Sequence, residues 1–296
     1  MPTFSSYAKV NLHLQVVGRR SDGYHELRTI FQTVDFADTL EVELGGSGVA
    51  LEVVGADLPA GPGNLAYEAA ERFLARWAPG RGVELRLHKR IPMGAGLGGG
   101  SSNAATVLQA LQSLLDEPAP APALWELARE LGADVPYFLV GGTALGFGRG
   151  DELVPLPDLA PRELLLVLPD LHIATREVFA DIGELTAAPL DPRIGALVQR
   201  NAVDWGVLAY VANDLEGPVF RRWPELARLH RNLLSAGASA ARLSGSGTAL
   251  WAVWEAEIGG ELQQRLGNGC RLVPVRTLPR SKVRSLPSNG SATRGS

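Results

Sequence analysis

The stretch of this sequence best suited to chemistry is Pro92-Met93-Gly94-Ala95-Gly96-Leu97-Gly98-Gly99-Gly100-Ser101-Ser102. Behind it, apolar residues at Ala104, Val107, Leu108, Leu111, Leu114 and Leu115 recur at helical spacing. A glycine loop that opens into a helix presents unpaired backbone N–H groups and the positive end of the helix dipole. With no Cβ in the way, the backbone can approach an anion closely. The expected ligand is a phosphate.

Other readings of the loop fit less well. Gly94, Gly96 and Gly99 match a dinucleotide fingerprint, which would make the protein an oxidoreductase. However, Val83 to His88 alternates apolar and polar, whereas the first strand of such a fold is a buried apolar run. Asp116 would then lie at the end of a helix rather than of a second strand. A P-loop requires Lys and Ser/Thr after its last glycine, and here Gly100 precedes Ser101. A Gly/Ser linker does not usually run straight into an amphipathic helix. A phosphate loop without its own lysine is left, and its positive charge must come from elsewhere in the chain.

Composition narrows the partners. The 296 residues carry a net charge of −4, which gives no electrostatic reason to expect nucleic acid or an anionic membrane. The single cysteine, Cys270, excludes an intrachain disulfide and a cysteine metal cluster, and fits a reducing cytoplasm. It reads as a small buried apolar residue rather than a nucleophile. No run is long enough to span a membrane, and strand-like alternation starts within the first ten residues, so no targeting segment is expected.

Elements must position the loop. Ala8, Val10, Leu12, Leu14 and Val16 alternate with Lys9, Asn11, His13 and Gln15, placing the four polar residues on one face of a strand. A turn, Gly18 to Gly23, leads to Tyr24 and His25, either a ligand platform or ordinary loop residues. Leu40–Leu44 and Val49–Val54 read as an antiparallel hairpin around Gly45-Gly46-Ser47-Gly48. Asn64 is placed to cap a helix with the stripe Leu65, Ala69, Phe73, Leu74 and Trp77. Strand Val83–His88 feeds the loop, and a further helix is expected over Ala123–Leu131. Asp134 precedes Val135-Pro136, as a helix N-cap or as a functional acid. Thr143–Gly148 and the more apolar Glu163–Leu168 read as strands, the latter central.

Farther on, helices are expected near Thr175–Ile182, Pro192–Gln199, Asp204–Tyr210, Asn213–Arg222 and Pro224–Ser235. Strands Ala238–Leu243 and Thr248–Trp254 flank the turn Ser244-Gly245-Ser246-Gly247. A helix near Glu257–Leu266 and a strand near Arg271–Thr277 follow, and the polar segment from Pro279 reads as a disordered tail. Strand clusters separated by helix clusters argue for α+β rather than a doubly wound sheet. The divisions expected are residues 1–160, 161–278 and a tail 279–296.

Four motifs occur in one order: Ala8-Lys9-Val10-Asn11-Leu12 with Asp22-Gly23-Tyr24-His25, the loop Pro92 to Ala105, Gly132-Ala133-Asp134-Val135-Pro136, and Leu243-Ser244-Gly245-Ser246-Gly247. Together they resemble the GHMP small-molecule kinases from Ala8 to about Thr277. Asp22-Gly23-Tyr24-His25 resembles the branch that acts on a cytidine-diphosphate sugar alcohol of isoprenoid precursor synthesis. The resemblance implies a two-lobed fold, with a mixed α/β N-terminal lobe and a C-terminal antiparallel sheet with helices. It implies transfer of the γ-phosphoryl group of ATP, with Mg²⁺, to a substrate hydroxyl.

By that resemblance Lys9 and Asp134 are the catalytic pair, and Pro92 to Ser102 holds the ATP phosphates. Asn64 lies toward the adenine, and Asn11, Gly245 and Ser246 toward the substrate. Tyr24 and Phe179 would sandwich the cytosine, with His25 at its edge. No carboxylate is evident for Mg²⁺, which leaves Ser102, water and the nucleotide to hold it. Thr248 departs from the small residue expected after the Ser244–Gly247 turn. A kinase of the same superfamily acting on homoserine, mevalonate or a sugar would not need the set Tyr24, His25 and Phe179. An inactive nucleotide-binding relative would not need to keep Lys9 with Asp134. The sequence leaves monomer and homodimer equally open.

Overall fold

The computed structural model describes residues 1–115, 119–182, 192, 204–206, 210–254 and 262–283. Two long strands, β1 (Thr3–Arg19) and β2 (His25–Leu44), pair antiparallel from Thr3 opposite Glu41 to Arg19 opposite His25. There follow β3 (Gly48–Val54), α1 (Leu65–Trp77), β4 (Gly82–His88), α2 (Gly99–Leu114), α3 (Ala121–Leu131), α4 (Val135–Val140), β5 (Thr143–Phe147) and β6 (Glu152–Pro155). These strands form one six-stranded sheet, ordered β3-β4-β2-β5-β6, with β1 on β2. The second half supplies β7 (Glu163–Pro169), α5 (Thr175–Ala180), α6 (Glu216–Arg222), α7 (Pro224–Ser235), β8 (Ala240–Leu243), β9 (Leu250–Val253), α8 (Leu262–Leu266), β10 (Cys270–Arg276) and α9 (Arg280–Val283). Its four-stranded sheet is antiparallel, ordered β10-β7-β9-β8, with the apolar β7 inside it. This is the α+β arrangement expected.

Three apolar clusters stack these elements into layers. Phe73, Leu108 and Leu127 of the helices pack on Leu40, Leu85 and Leu87 of the first sheet. Val10, Leu12 and Ile30, on the other face, meet Leu164, Leu166 and Trp251 of the second sheet. Leu165, Val167 and Ala252 then pack on Val219, Leu229 and Leu233 of α6 and α7. Trp251 is fully buried, and its indole N–H donates to the Asn11 carbonyl at 2.9 Å, tying the two sheets together at the strand that carries Lys9.

Several sequence readings need correction. The segment 45–48 does not close a hairpin. β4 enters between β2 and β3, antiparallel to the first and parallel to the second. Helix α1 supplies the crossover that a parallel pair requires. The fit relies on Gly82, where a Cβ would come within 2.5 Å of the Gly45 carbonyl oxygen. On β1 the pairing slips between Asn11 and His13, so that Leu12 is an extra residue. Side-chain parity reverses beyond it. Lys9, Asn11 and Leu14 therefore share the face toward the functional cleft, while His13 turns away and its Nδ1 accepts the Ala212 N–H at 3.2 Å.

Strand β6 was not anticipated, since Glu152–Pro155 is too short and exposed to show a pattern. The helix expected from Asn213 starts only at Glu216. Asn213 Oδ1 accepts the Leu215 N–H, and Asp214 Oδ2 accepts the Val16 N–H, so both residues serve the preceding turn. Asp116, nearly all of the helix expected at Pro192–Gln199, residues 207–209 and residues 257–261 lie outside the described residues.

The segment expected to be a free tail begins as a docked one. The Leu278 N–H donates to the Thr33 carbonyl, and the Gln32 amide donates to the Leu278 carbonyl, both at 2.9 Å. Arg280 donates to the Thr143 and Leu156 carbonyls, and Val283 is buried against Gly141 at the end of α4. Removing residues 278–296 is expected to lower unfolding stability by about 3 kcal/mol, from lost hydrogen bonds and one buried valine. Urea unfolding checks this; an unchanged midpoint would mean that the segment only rests on the sheet.

Candidate active site

The glycine loop lies between β4 and α2, as its sequence position requires. Gly94, Gly96 and Gly98 have φ of +64°, +74° and +70°, so alternate residues take the left-handed region. That alternation turns successive N–H groups toward one side, the geometry of an anion nest. Gly98 is the N-cap of α2 and offers no side-chain acceptor, which leaves the first turn of the helix able to bind an anion. At Gly96 a Cβ would lie 1.9 Å from the Ser244 carbonyl oxygen, and at Gly98 it would lie 2.7 Å from Phe138. The loop is thus pressed against the second sheet. Ser244 Oγ donates to the Gly96 carbonyl at 2.9 Å, and the Ala249 N–H donates to the Ala95 carbonyl at 3.1 Å.

Two lysines stand beside the loop, each paired with a carboxylate. Lys9 is 3 % exposed; its ammonium donates to Asn11 Oδ1 at 2.6 Å, stands 3.5 Å from Asp134 Oδ2 and lies 5.4 Å from the Phe31 ring centre. Asn11 is oriented in turn by donating to Thr29 Oγ1 at 2.7 Å. Lys89, beside the start of α2, pairs with the fully buried Asp38 and donates to Asn103 Oδ1 at 3.0 Å. Asp38 also accepts the Arg90 and Ile91 N–H groups at 2.7 and 2.9 Å, fixing the entry to the loop.

Asp134 occupies the N-cap position of α4, but its side chain makes no capping bond. Its carboxylate faces Lys9 instead, and the side chain is one-third exposed. Ser102, the hydroxyl considered for the metal, already has two partners. It is buried, its hydroxyl donating to the Tyr7 carbonyl at 2.6 Å and accepting from Ser6 at 2.8 Å. It anchors α2 to β1, whereas Ser101 lines the cleft. Asn64 caps α1 as expected, accepting the Ala66 N–H at 3.0 Å and donating to the Pro59 carbonyl at 2.9 Å.

At the far end of the same cleft lie Tyr24, His25 and Phe179. Phe179 stacks on His25 with centroids 4.9 Å apart, and Tyr24 sits under the Arg149 guanidinium. Both rings expected to flank the cytosine thus line this end of the cleft, each beside another side chain. Burial, aided by Arg19, holds the His25 imidazole below its usual pKa. Ser246 Oγ lies 3.0 Å from Thr175 Oγ1, and the carbonyl of Gly245 accepts from Asn213 at 2.8 Å.

The cleft encloses about 1410 Å³, more than the roughly 300–1,000 Å³ of a pocket for one small ligand. Lys9, Arg19, Lys89, Arg149 and Arg176 line it against a single carboxylate, Asp134, among the described residues. Asp38 and Asp151 stand behind Lys89 and Arg149 as counter-ions, so the excess of positive charge is smaller than the lining alone shows. No cluster of three or more His, Cys, Asp or Glu that could hold a metal occurs among the described residues. Nor does any helix among them have the length and apolarity to cross a membrane.

Sequence reasoning had missed Asp38, Asn103, Thr29, Asn213 and Arg149. Asp38 carried only a faint signal, flanked by Phe36, Ala37 and Leu40 but with Asp35 and Glu41 on either side. The others gave none, because what each acts on is distant in the chain, as Tyr24 is from Arg149, even where the clamp itself is local.

Most of the chain is similar to known proteins. The sequence matches the GHMP kinases N terminal domain over residues 64–142 and the GHMP kinases C terminal domain over residues 194–270. It is 45 % identical to the 4-diphosphocytidyl-2-C-methyl-D-erythritol kinase of Solibacter usitatus, across 83 % of this chain and 79 % of that protein. Identity to the Moorella thermoacetica enzyme of the same name is 42 %, covering 85 % and 89 %. A crystal structure of 4-(cytidine 5'-diphospho)-2C-methyl-D-erythritol kinase superposes with a TM-score of 0.78 at 38 % identity, covering 93 % of this chain and 98 % of that one.

The loop's entry gives the site a stability signature. Replacing Asp38 by Ala would strand a lysine whose side chain is 4 % exposed. The expected loss is about 3–5 kcal/mol in urea unfolding, the cost of breaking a buried pair from one side. A loss below about 1 kcal/mol would place this pair with weak surface bridges instead.

Proposed function

The chain belongs to the GHMP kinases, within them to the 4-diphosphocytidyl-2-C-methyl-D-erythritol kinases, and we propose how its cleft carries out their reaction. It is an ATP-dependent small-molecule kinase. It phosphorylates a hydroxyl of 4-diphosphocytidyl-2-C-methyl-D-erythritol in non-mevalonate isoprenoid precursor synthesis, giving the 2-phosphate and ADP. The observation that carries the reading is the placement of Lys9, Asn11 and Asp134 against the nest formed by Gly94 to Gly98.

Phosphoryl transfer asks mainly for positioning and charge stabilisation. Asp134 accepts the proton of the substrate hydroxyl as its oxygen bonds to the γ-phosphorus and the bond to the ADP oxygen breaks. Lys9, held by Asn11, stabilises the negative charge spread over the transferred group. The nest and the start of α2 bind the ATP phosphates, while Asn64 shapes the loop on the adenine side. Tyr24, His25 and Phe179 take the cytosine, and Gly245 and Ser246 border the sugar alcohol. A neutral His25 suits the edge of an uncharged base, and the desolvation that lowers its pKa keeps it so.

Mg²⁺ would be held by the phosphate oxygens of ATP together with Ser101, a hydroxyl residue that lines the cleft. When bound, it neutralises phosphate charge. We assign residues 1–160 to the ATP-binding lobe, residues 161–278 to the second lobe, and the reaction to the cytoplasm.

The test is phosphotransfer from labelled ATP to the cytidylyl substrate, set beside its base-free counterpart. The cytidylyl compound should be strongly preferred. Asp134→Asn should lower kcat by about a hundred- to ten-thousandfold and leave ATP affinity unchanged. Equal use of both acceptors would remove the base-recognition assignment, and wild-type turnover in Asp134→Asn would remove Asp134 from the chemistry.

A further inference from the structure

The turn between β5 and β6 reaches into the nucleoside end of the cleft, and no step derived above uses it. Its backbone is bolted to the start of β2. The Leu27 N–H donates to the Gly148 carbonyl at 2.7 Å, and the Gly148 N–H donates to Glu26 Oε1 at 3.1 Å. The turn carries Arg149 and Asp151. Asp151 is 8 % exposed and grips Arg149 twice, accepting its backbone N–H at 3.2 Å and its guanidinium at 2.8 Å. The guanidinium carbon then lies 5.2 Å from the centre of the Tyr24 ring. Tyr24 itself is 55 % exposed, so few neighbours restrain it.

We propose that Arg149, clamped by Asp151, is a positioning residue that holds the Tyr24 ring in place for stacking on the pyrimidine of the substrate. A guanidinium fixed by a carboxylate and laid on an aromatic face limits the ring's rotamers before substrate arrives. The ordering cost is then met in the free protein rather than on binding. Arg149 therefore contributes to affinity for the cytidylyl substrate and not to ATP binding or to the chemical step, which occur around Lys9 and Asp134. Lysine is an incomplete replacement, because an ammonium keeps a cation–π attraction but lacks the planar surface that stacks on the ring. This inference rests on the assignment of Tyr24 to the base.

A double-mutant cycle on the full-length protein separates the two. Arg149→Met is expected to raise KM for the cytidylyl substrate about fourfold, the factor an exposed cation–π contact carries. KM for ATP and kcat should stay at wild-type values, and Arg149→Lys should fall between wild type and Arg149→Met. In a Tyr24→Leu background, Arg149→Met should add nothing. An equal rise in both backgrounds overturns the proposal, since Arg149 would then act without the ring. A raised KM in Tyr24→Leu with unchanged values in Arg149→Met removes this inference alone. Unchanged KM in Tyr24→Leu removes the base assignment and the inference with it. Should Arg149→Met fail to fold, Arg149→Lys decides by the same comparison.

Discussion

The site exists because the backbone of Gly96 lies directly on the carbonyl of Ser244, closer than any side chain would permit. The loop belongs to the first sheet and Ser244 to a turn of the second, so this contact is where the two halves of the chain become one surface. Ser244 makes the seam continuous: its hydroxyl donates to Gly96 and receives the Asn11 N–H at 3.3 Å. Asn11 in turn takes a hydrogen bond from Lys9. Anion nest, ammonium and substrate-side turn are therefore positioned by one chain of short contacts.

Charge is organised on the same principle of local concentration. The protein as a whole is acidic, at −4, yet five cationic side chains and one carboxylate line the cleft among the described residues. Lys89 is tied to Asp38 and Asn103, and Lys9 to Asn11 and Asp134, so neither ammonium is left bare in its buried setting. Pairing of this kind keeps a buried charge in place at a tolerable desolvation cost.

How far the sequence could be read depended on the distance between cause and partner. The cap at Asn64, the loop-to-helix transition at Gly98 and the apolar β7 are local, and each was visible in a few residues. The hairpin misreading arose because Gly45 to Gly48 looks like a closing turn, while the strand that separates β2 from β3 arrives only after α1. The extra residue at Leu12 was invisible in the alternation itself, which continues unbroken while the pairing slips. The anchoring bonds of Ser102 could not be foreseen, because its neighbours Ser6 and Tyr7 lie on β1, far away in sequence. The docked segment after Thr277 was hidden by its polar composition, since most of its bonds come from backbone groups and one arginine.

The most direct measurement is ATP affinity, by titration calorimetry, in Gly96→Ala with folding verified by circular dichroism. The left-handed backbone at this position, and the collision with Ser244, should force the loop off the second sheet. Strain of about 1–3 kcal/mol predicts a five- to hundredfold weaker ATP complex in a protein that keeps its secondary structure. Wild-type affinity in that variant would show that the nest forms without the seam, and would contradict the account.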